Sequence, residues 1–439
     1  MKRGRVDVIT MGCSKNLVDS QRLMKQLRVR GYDMHHDADD VCGEYVVVNT
    51  CGFIGDAKEE SINMILSLAE AKSEGRIGQL YVMGCLSERY RKELEQEIPE
   101  VTAYFGKFDW EQIVSLLPDR KPVVHKAKPW ERVLTGNRHS AYIKISEGCN
   151  RFCAYCAIPL ITGRHKSRPI DEILDETRKL VSEGVKEFNV IAQDLSAYGH
   201  DIYGRSALAE LIDRMADVEG VEWIRLHYAY PVDFPYDVLE VMRRRDNVCK
   251  YLDIALQHIS NKVLDNMRRH IDHEGTMRVI DRIRKEVPGI CIRTTLMTGF
   301  PGEGDEEFAE LLDFVKEVKF ERMGAFAYCE EEGTYAAIHF DDNIPQDVKE
   351  ERKDKILAAQ REISAELNEQ LIGKHLRVLV DSVDTTTKVI TARTEWDSPE
   401  VDNEVTIVYE GDNAPCNVGD FINVEIIAAY DYDLTAKIL

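Results

Sequence analysis

Apolar residues in the first part of the chain alternate between short continuous runs and longer stretches with helical spacing. Runs typical of buried strands cover residues 6–11, 45–49 and 80–83. Helical spacing covers residues 17–30 and 58–71. Strands that alternate with helices form parallel sheets with crossover connections. We therefore predict a parallel-sheet α/β domain over residues 1–125.

A cysteine follows each of these three strands, namely Cys13, Cys51 and Cys85. The carboxyl ends of parallel strands meet at the sheet edge where ligands bind, so the three thiols are expected to lie together. A single cysteine at such a place would be interpreted as a small buried residue, but three equivalent positions indicate a site built from three thiols. Cys42 does not follow a strand and is interpreted as structural.

A second series of strand-then-helix units begins after a stretch rich in Arg, Lys and Pro, interpreted as a linker over residues 126–138. Its six predicted strands cover residues 141–145, 187–192, 222–228, 251–256, 290–297 and 323–328. Six units fall short of the eight of a closed (β/α) barrel. A long helix is predicted over residues 345–371, which ends this domain of residues 139–371.

The last 68 residues change to short β-rich runs separated by Asp, Asn, Gly and Pro. The runs cover residues 376–380, 388–392, 404–408 and 421–428. Several short strands at regular spacing predict a small all-β barrel over residues 372–439.

Polar residues follow the barrel strands, where the chemistry of such barrels takes place. They are Gln193, Asp194, His227, Tyr228, Gln257, His258, residues 298–303 and Tyr328. Any one of them could be a structural hydrogen-bonding group, but as a set they outline a cavity. Gly299 and Gly302 would let the backbone approach a ligand closely. Three further cysteines, Cys249, Cys291 and Cys329, are interpreted as core residues.

The loop after the first barrel strand carries Cys149, Cys153 and Cys156, at a spacing of three and then two intervening residues. Three thiolates can hold three corners of an iron–sulfur cube and leave the fourth iron free to bind something else. A zinc site would require a fourth protein ligand nearby, and the nearest candidate, His165, lies beyond a proline and a glycine. A disulfide would leave one cysteine over and suits a secreted protein. The cluster is therefore favoured.

The chain has 439 residues, 44% of them hydrophobic and 31% charged, which indicates a soluble globular protein of several domains. The start leads into a strand-like run with no signal-peptide core, and no stretch approaches the roughly 20 apolar residues of a membrane span. We therefore expect a cytoplasmic protein, without a membrane partner, whose cysteines are thiols or metal ligands. The net charge of −21 argues against gripping phosphate backbones as the main role. It fits a basic partner, or solubility alone.

The cysteine loop resembles that of the radical S-adenosylmethionine enzymes, in which an aromatic residue, here Tyr155, precedes the third cysteine. The resemblance implies a partial (β/α)6 TIM-like barrel that is open on one side. It also implies that S-adenosylmethionine chelates the free iron. The contacts that it implies for this molecule are Tyr155, Gln193, Gly299, Pro301 and Gly302.

The segments around Cys13, Cys51 and Cys85 resemble the amino-terminal domain of the methylthiotransferases. In that family the three scattered cysteines bind a second [4Fe–4S] cluster, so two clusters are implied. The tail resembles the TRAM domain, an OB-like module generally associated with RNA. From Gly373 to Leu439, however, five basic residues stand against thirteen acidic ones. An RNA-binding surface should be basic, so we expect this module to dock a basic protein.

Two motifs, the segment 12–20 and Leu256-Gln257-His258-Ile-Ser, resemble the branch that modifies an aspartate of small-subunit ribosomal protein twelve. The tRNA-modifying branch tends to show Gly-Cys-Gln-Met-Asn and Gln-Ser-Gly-Ser instead. The resemblance thus implies ribosomal protein twelve, free or in the ribosome, as the partner, and a reducing electron donor such as flavodoxin or ferredoxin. Contact with nucleic acid is left open and is not expected as the main substrate interaction. One alternative is methylthiolation of tRNA adenosine. The other is a non-catalytic iron–sulfur scaffold, and the large barrel argues against this second alternative.

The mechanism that the resemblance implies begins at the cluster on Cys149, Cys153 and Cys156. It passes an electron to S-adenosylmethionine, and the resulting 5′-deoxyadenosyl radical removes a hydrogen from the β-carbon of the aspartate. The carbon radical meets sulfur held at the second cluster, and a second S-adenosylmethionine supplies the methyl group. No general acid or base is assigned.

Overall fold

Five parallel strands form the sheet of the amino-terminal domain in the computed structural model, which describes residues 1–123 and 126–439. The predicted end of this domain, residue 125, lies outside the described residues. The strands are β1 (Lys2–Thr10), β2 (Asp33–His36), β3 (Gly43–Thr50), β4 (Gln79–Gly84) and β5 (Ala103–Tyr104). The helices are α1 (Ser14–Val29), α2 (Gly55–Ser73), α3 (Cys85–Glu97) and α4 (Trp110–Leu116).

The strand order β2-β1-β3-β4-β5 places the three predicted strands side by side at the centre of the sheet. Apolar cores cover both faces of this sheet, so Val46, Val47 and Val48 of β3 are all fully buried. This explains the continuous apolar run. The sequence analysis missed β2 and β5, which are short edge strands. It also missed α3, which begins directly after β4 and buries few side chains.

Six parallel strands form the central sheet in the order β13-β12-β11-β10-β9-β6, and this confirms the predicted partial barrel. The strands after residue 139 are β6 (Ser140–Lys144), β7 (Ser146–Glu147), β8 (Lys166–Ser167), β9 (Glu187–Ile191), β10 (Trp223–Ala229), β11 (Val248–Ile254), β12 (Cys291–Thr298) and β13 (Arg322–Ala327). The helices are α5 (Ile158–Thr162), α6 (Ile170–Ser182), α7 (His200–Tyr203), α8 (Leu208–Ala216), α9 (Asp237–Arg244), α10 (Asn261–Asn266), α11 (His273–Glu286), α12 (Asp305–Val318), α13 (Tyr335–His339) and α14 (Gln346–Glu369).

The amphipathic helices α6, α8, α9 and α11 pack their apolar faces into one large core against the outer face of the sheet. The long helix α14 covers β12 and β13 with Ile356 and Ile363 and leads into the last domain. This is the closing helix that its spacing predicts.

The last domain is a closed antiparallel and parallel barrel of five strands in the order β14-β15-β16-β18-β17. They are β14 (His375–Asp384), β15 (Val389–Thr394), β16 (Val405–Val408), β17 (Phe421–Ala429) and β18 (Leu434–Ile438). The sequence analysis predicted the first four and missed β18, whose short run buries only Leu434 and Ala436 fully.

The segment 395–403, between β15 and β16, closes the amino-terminal end of the central barrel. Arg322 donates to the Asp397 carboxylate at 3.0 Å, and Arg293 donates to the Asp402 carboxylate at 3.2 Å. The hydroxyl of Tyr251 also donates to Asp402, at 2.8 Å. Part of the acidity of the last domain is therefore used inside the protein, against barrel arginines, and does not reach the free surface.

The three further cysteines of the central domain differ in their surroundings. Cys249 and Cys291 are buried beneath the last domain, as core residues are expected to be. The interpretation of Cys329 as a core residue is wrong, because it is exposed in the loop directly after the buried Tyr328. The strand β13 ends at Ala327, so Cys329 is no longer held in the sheet. No helix of the described part of the chain is long and apolar enough to cross a membrane.

Candidate active site

The cysteine loop of the barrel is tied at its base by the two-residue antiparallel ladder of β7 and β8. Within the loop, the N–H of Cys149 donates to the carbonyl of Gly163 at 3.2 Å, and the N–H of Cys156 donates to the carbonyl of Cys153 at 3.0 Å. Cys149 and Cys153 are buried, Cys156 is half-buried, and all three are free thiols. We call Cys149, Cys153 and Cys156 the loop trio.

Arg269 provides positive charge directly beside the loop trio. Its guanidinium donates to Cys153 Sγ at 3.3 Å and to the Tyr155 hydroxyl at 3.3 Å. The hydroxyl of Tyr230 lies 3.7 Å from the same sulfur. Burial raises the pKa of Cys149 to about 12, so this thiol needs a cationic ligand to become a thiolate. Three thiols on one loop, one of which accepts a hydrogen bond from Arg269, fit the ligand set of an iron–sulfur cluster.

The cysteines of the amino-terminal domain lie at the carboxyl edge of the sheet, as predicted, and we call them the amino-terminal trio. Cys13 precedes α1, Cys51 follows β3, and Cys85 is the first residue of α3. Gly12 has a φ of +86°, and a Cβ there would lie 2.8 Å from Cys51 Sγ. Only glycine therefore permits the end of β1 to pass so close to this thiol.

Asn16 holds together the loops that carry the amino-terminal trio. Its side-chain amide donates to the carbonyls of Met11 and Thr50, each at 3.0 Å, while its oxygen lies 3.7 Å from Cys85 Sγ. Each contact reaches a different segment of the sheet edge. Asn16 stands inside the predicted motif, but its role could not be read from the sequence because its partners are far away along the chain.

The electrostatics of the amino-terminal trio differ from one thiol to the next. Burial raises the pKa of Cys85 to about 12, and the nearby Cys13 and Cys51 act in the same direction. Burial also acts to raise the pKa of Cys13, but the charge of Lys15 and the backbone N–H of Asn16 outweigh it and lower that pKa. The position of Cys13 at a helix amino terminus favours a thiolate in the same way. Across residues 1–123 and 126–439, no three His, Cys, Asp or Glu side chains converge on a single metal ion.

The two trios meet where the amino-terminal domain packs on the carboxyl ends of the barrel strands, which we call the mouth of the barrel. Cys85 packs against Ala157 and Ile161, and Ala157 directly follows Cys156. The ammonium of Lys107 lies 3.8 Å from Cys85 Sγ and 3.5 Å from the carboxylate of Glu147. The fold therefore brings two thiol sites, far apart in the sequence, to one place.

Glu147 is the centre of a buried charge network at this junction. Burial alone would raise its pKa, but the charges of Lys144 and Lys107 outweigh it and lower the pKa to about 2. Lys144, at the end of β6, also contacts Asp19 of α1. The sequence carries no local signal for Lys107 or for these pairings. Glu147 could have been suspected from its place two positions before Cys149.

The predicted S-adenosylmethionine contacts lie at the mouth or directly behind it. The amide of Gln193 donates to Glu147, and its oxygen is buried with no hydrogen-bond partner within the described residues. Such an orphaned acceptor fits a ligand that donates a hydrogen bond. Tyr155 is half-buried, and its ring packs edge-on against Phe300 at 6.3 Å between centroids.

The segment from Gly299 to Gly302 is held by the structure behind Tyr155. A Cβ at Gly299 would lie 2.2 Å from the Lys349 side chain, and one at Gly302 would lie 2.4 Å from Asn266 Nδ2. The carbonyl of Pro301 accepts a hydrogen bond from the same amide at 3.0 Å. The two glycines are thus required by packing against side chains of this protein.

Some predicted cavity residues form structural hydrogen bonds instead. His258 is fully buried 3.2 Å from Glu303, which in turn accepts from Arg352 at 2.8 Å. His227 lies 3.2 Å from the Asn189 side chain, and burial lowers its pKa well below the usual value. These contacts give both histidines a structural hydrogen-bonding role in the barrel.

Comparison with known families and structures agrees with this geometry. The radical SAM superfamily model matches residues 143–315, the uncharacterized protein family UPF0004 matches residues 5–106, and the TRAM domain matches residues 372–439. A radical S-adenosylmethionine methyltransferase, TsrM, from Kitasatospora setae has a TM-score of 0.58 at 14% identity, over 77% of this chain and 74% of its own. That likeness shows the fold alone.

Whole-length relatives decide the family. The ribosomal protein uS12 methylthiotransferase RimO of Porphyromonas gingivalis is 57% identical over 100% of both chains, and that of Parabacteroides distasonis is 56% identical over 100% of both. The RimO of Christiangramia forsetii is 48% identical over 99% of this chain and 94% of its own. The chain belongs to the RimO family. As a RimO family member it is a radical S-adenosylmethionine methylthiotransferase, whose chemistry uses an iron–sulfur cluster and S-adenosylmethionine, and the predicted family and enzyme class are confirmed.

Proposed function

We propose that this RimO family member adds a methylthio group to the β-carbon of an aspartate in ribosomal protein uS12, the protein twelve of the small subunit. Relatives that match it from end to end bear this substrate in their names. The observation that carries the proposal is the packing of Cys85 against Ala157, directly after Cys156. A site that holds sulfur must lie next to the site where the hydrogen is removed, and this contact brings the two trios together.

Two [4Fe–4S] clusters are part of the proposal, one on each trio. The second rests on the donor set, because three free thiols lie at the ends of three adjacent loops and Asn16 joins those loops. When bound, the cluster of the loop trio and S-adenosylmethionine supply the one-electron chemistry that removes a hydrogen atom from an unactivated carbon. Tyr155, Gln193 and the segment Gly299, Pro301 and Gly302 are assigned to S-adenosylmethionine, with the buried oxygen of Gln193 as the best-supported contact.

The amino-terminal domain is fastened across the open side of the partial barrel, at both edge strands. On the β6 side, Lys144 contacts Asp19. On the β13 side, Lys58 and Arg89 contact Glu331 at 2.8 and 2.9 Å. Through these ion pairs the domain covers the mouth and excludes water from it, which protects a reactive carbon centre from side reactions.

The remaining parts of the proposal concern the surroundings of the enzyme. A reducing donor of the flavodoxin or ferredoxin kind delivers the electron, and the enzyme works in the cytoplasm on uS12, free or in the ribosome. We divide the chain into a methylthiotransferase domain (1–125), a linker (126–138), a radical SAM core (139–371) and a TRAM domain (372–439). The ion pairs between segment 395–403 and the barrel support a fixed placement of the last domain.

The test offers two substrates to the reconstituted full-length enzyme under anaerobic conditions with reductant and S-adenosylmethionine. One is uS12, and the other is a tRNA anticodon stem that carries isopentenyladenosine. Mass spectrometry then looks for one added methylthio group. We expect modified uS12 and unchanged RNA. Modified RNA with unchanged uS12 would overturn the substrate assignment while leaving the reaction class in place.

A further inference from the structure

Lys15 is a buried lysine at the junction of the amino-terminal domain and the barrel. Lys15 is only 8% exposed, and its Nζ lies 3.4 Å from the centroid of the Tyr228 ring. Among the residues that the structure describes, no Asp or Glu side chain forms an ion pair with it. A buried cation is costly unless it is paired, and an aromatic face offsets only part of that cost.

Four other cations near the two trios or deeper in the barrel have a carboxylate partner, whereas Arg269 donates instead to Cys153 Sγ and the Tyr155 hydroxyl. The pairs are Lys107 with Glu147 at 3.5 Å, Lys144 with Glu147 at 2.6 Å, Arg151 with Asp194 at 2.7 Å and Arg293 with Asp402 at 3.2 Å. Lys15 differs from this group in lacking such a partner within the described part of the chain. Within the described residues, Lys15 thus has neither a carboxylate partner, as these four cations have, nor the sulfur and hydroxyl acceptors of Arg269.

The place of Lys15 points to the reacting centre. It stands two positions after Cys13, in the first turn of α1, and its Nζ contacts Tyr228 at the end of β10. Tyr228 has a φ of +65°, a left-handed backbone that a non-glycine residue adopts at an energetic cost. The ammonium group thus lies between the amino-terminal trio and the carboxyl end of a barrel strand.

We propose that Lys15 binds the side-chain carboxylate of the substrate aspartate, an inference that rests on the proposed function. The β-carbon of aspartate is bonded directly to the carboxylate carbon, so holding the carboxylate fixes the position of the carbon that reacts. An ammonium has three N–H donors. The Tyr228 ring occupies one face, and the others are available for a charge-assisted hydrogen bond to a carboxylate. Lys15 is then a substrate-binding residue that also selects an anionic side chain.

A competing role is possible for a cation at this place, because Lys15 is near Cys13 and could serve only as a counter-charge to the amino-terminal trio. The two roles differ in what they recognise. A counter-charge stabilises the cluster and is indifferent to the substrate side chain. A carboxylate anchor distinguishes aspartate from asparagine, which has nearly the same shape and no charge.

The experiment measures binding of two fluorescent peptides from the modified loop of uS12, one with the target aspartate and one with asparagine in its place. The reconstituted full-length enzyme is used anaerobically with S-adenosylmethionine and without reductant, so that no turnover occurs. Wild type is compared with Lys15→Met, Lys15→Arg and Lys15→Gln. The matched control is Lys25→Met, on the same helix, which removes a partly exposed pair with Glu131. Iron content and cluster absorbance are recorded for every variant.

We expect wild type to prefer the aspartate peptide by about 10- to 100-fold, the range of a hydrogen bond to a charged group. Lys15→Met should reduce this preference to less than about threefold, Lys15→Arg should keep most of it, and Lys25→Met should match wild type. If Lys15→Met fails to assemble both clusters, Lys15→Gln, which is polar and neutral, provides the same comparison.

Two results would overturn the inference while leaving the proposed function intact. One is a neutral variant that keeps the wild-type preference for aspartate. The other is a wild-type enzyme that modifies uS12 but binds the two peptides equally well, which would leave Lys15 as a counter-charge to the cluster alone. If wild type binds neither peptide and leaves uS12 unmodified, the proposed function fails together with the inference.

Discussion

Lys107 and Glu147 come from different domains and form a buried ion pair, with 3.5 Å between Nζ and the carboxylate oxygen. The same ammonium lies 3.8 Å from Cys85 Sγ. One side chain therefore links the amino-terminal trio to Glu147, two positions before the first cysteine of the loop trio. This contact is one of several that set the relative position of the two thiol sites.

Replacing Lys107 by methionine should weaken the packing of the amino-terminal domain on the barrel. We expect the free energy of unfolding to fall by about 2–3 kcal/mol, somewhat less than the roughly 3–5 kcal/mol for breaking a lone buried pair, because Lys144 still contacts Glu147 at 2.6 Å. Anaerobic urea unfolding measures the change. Lys92→Met, an exposed position on α3, is the control. Equal losses in the two variants would show that Lys107 has no special role.

The two trios should respond differently to the loss of one thiol. Cys153→Ala is expected to abolish cleavage of S-adenosylmethionine, because the loop trio would retain only two ligands. Cys51→Ala is expected to spare at least part of this cleavage and to block thiolation of uS12. Chromatography of 5′-deoxyadenosine and mass spectrometry of uS12 separate the two reactions. Normal thiolation by Cys51→Ala would refute the second cluster.

Arg269 should tune the cluster of the loop trio, because its guanidinium donates to Cys153 Sγ at 3.3 Å. Hydrogen bonds and positive charge near a ligand sulfur raise the reduction potential. Arg269→Met is expected to lower the potential by on the order of 60 mV, the one-electron equivalent of about 1.4 kcal/mol. Spectroscopic redox titration measures it. Arg268→Met is the control, since Arg268 stacks on the Tyr335 ring, and an equal shift there would contradict the assignment.

Glu187 should link the stability of the barrel–TRAM interface to pH. It is fully buried between Arg225 at 3.0 Å and Arg393 at 2.8 Å. Burial acts to raise the pKa of Glu187, but the arginines outweigh it and hold that pKa far below its usual value. Because the folded-state pKa is depressed, this stabilisation is complete above about pH 5 and is lost as the pH falls below about 4.5.

Glu187→Gln is therefore expected to reduce the free energy of unfolding by about 3–5 kcal/mol at pH 7, with a smaller difference from wild type below pH 4.5. Tryptophan fluorescence during urea unfolding reports on this interface, where Trp223 and Trp396 lie. The control is Glu222→Gln, which removes an exposed pair with Arg377 across the same interface. It should cost less than about 1 kcal/mol. A pH-independent loss in Glu187→Gln would contradict the charge argument.

Much of the fold could be predicted because its central strands are buried on both faces and read as continuous apolar runs. The strands β3 and β4 are of this kind, while barrel strands such as β9 and β10 are buried but alternate apolar with polar residues. The short strands β2 and β5 escaped prediction because edge strands of two to four residues bury too little to leave a pattern.

The positions of the site residues could be predicted where they follow from the spacing of cysteines and strands along the chain. The placement of Cys13, Cys51 and Cys85 follows from the rule that parallel strands end at one edge. The positions of Lys107 and Arg269 do not follow from any such rule, because their partners come from distant segments. Part of the acidic count of the last domain does not describe its surface, since Asp397 and Asp402 face barrel arginines.

The segment 395–403 gives the reaction chamber a floor that the barrel itself does not possess. Removing the last domain would open the chamber from below. Arg322 would lose Asp397, and Arg293 would lose Asp402 and keep only Asp253. Exchanging this domain between relatives would alter the inside of the chamber together with the outer surface. The last domain is therefore a structural part of the barrel and cannot be exchanged as an independent module.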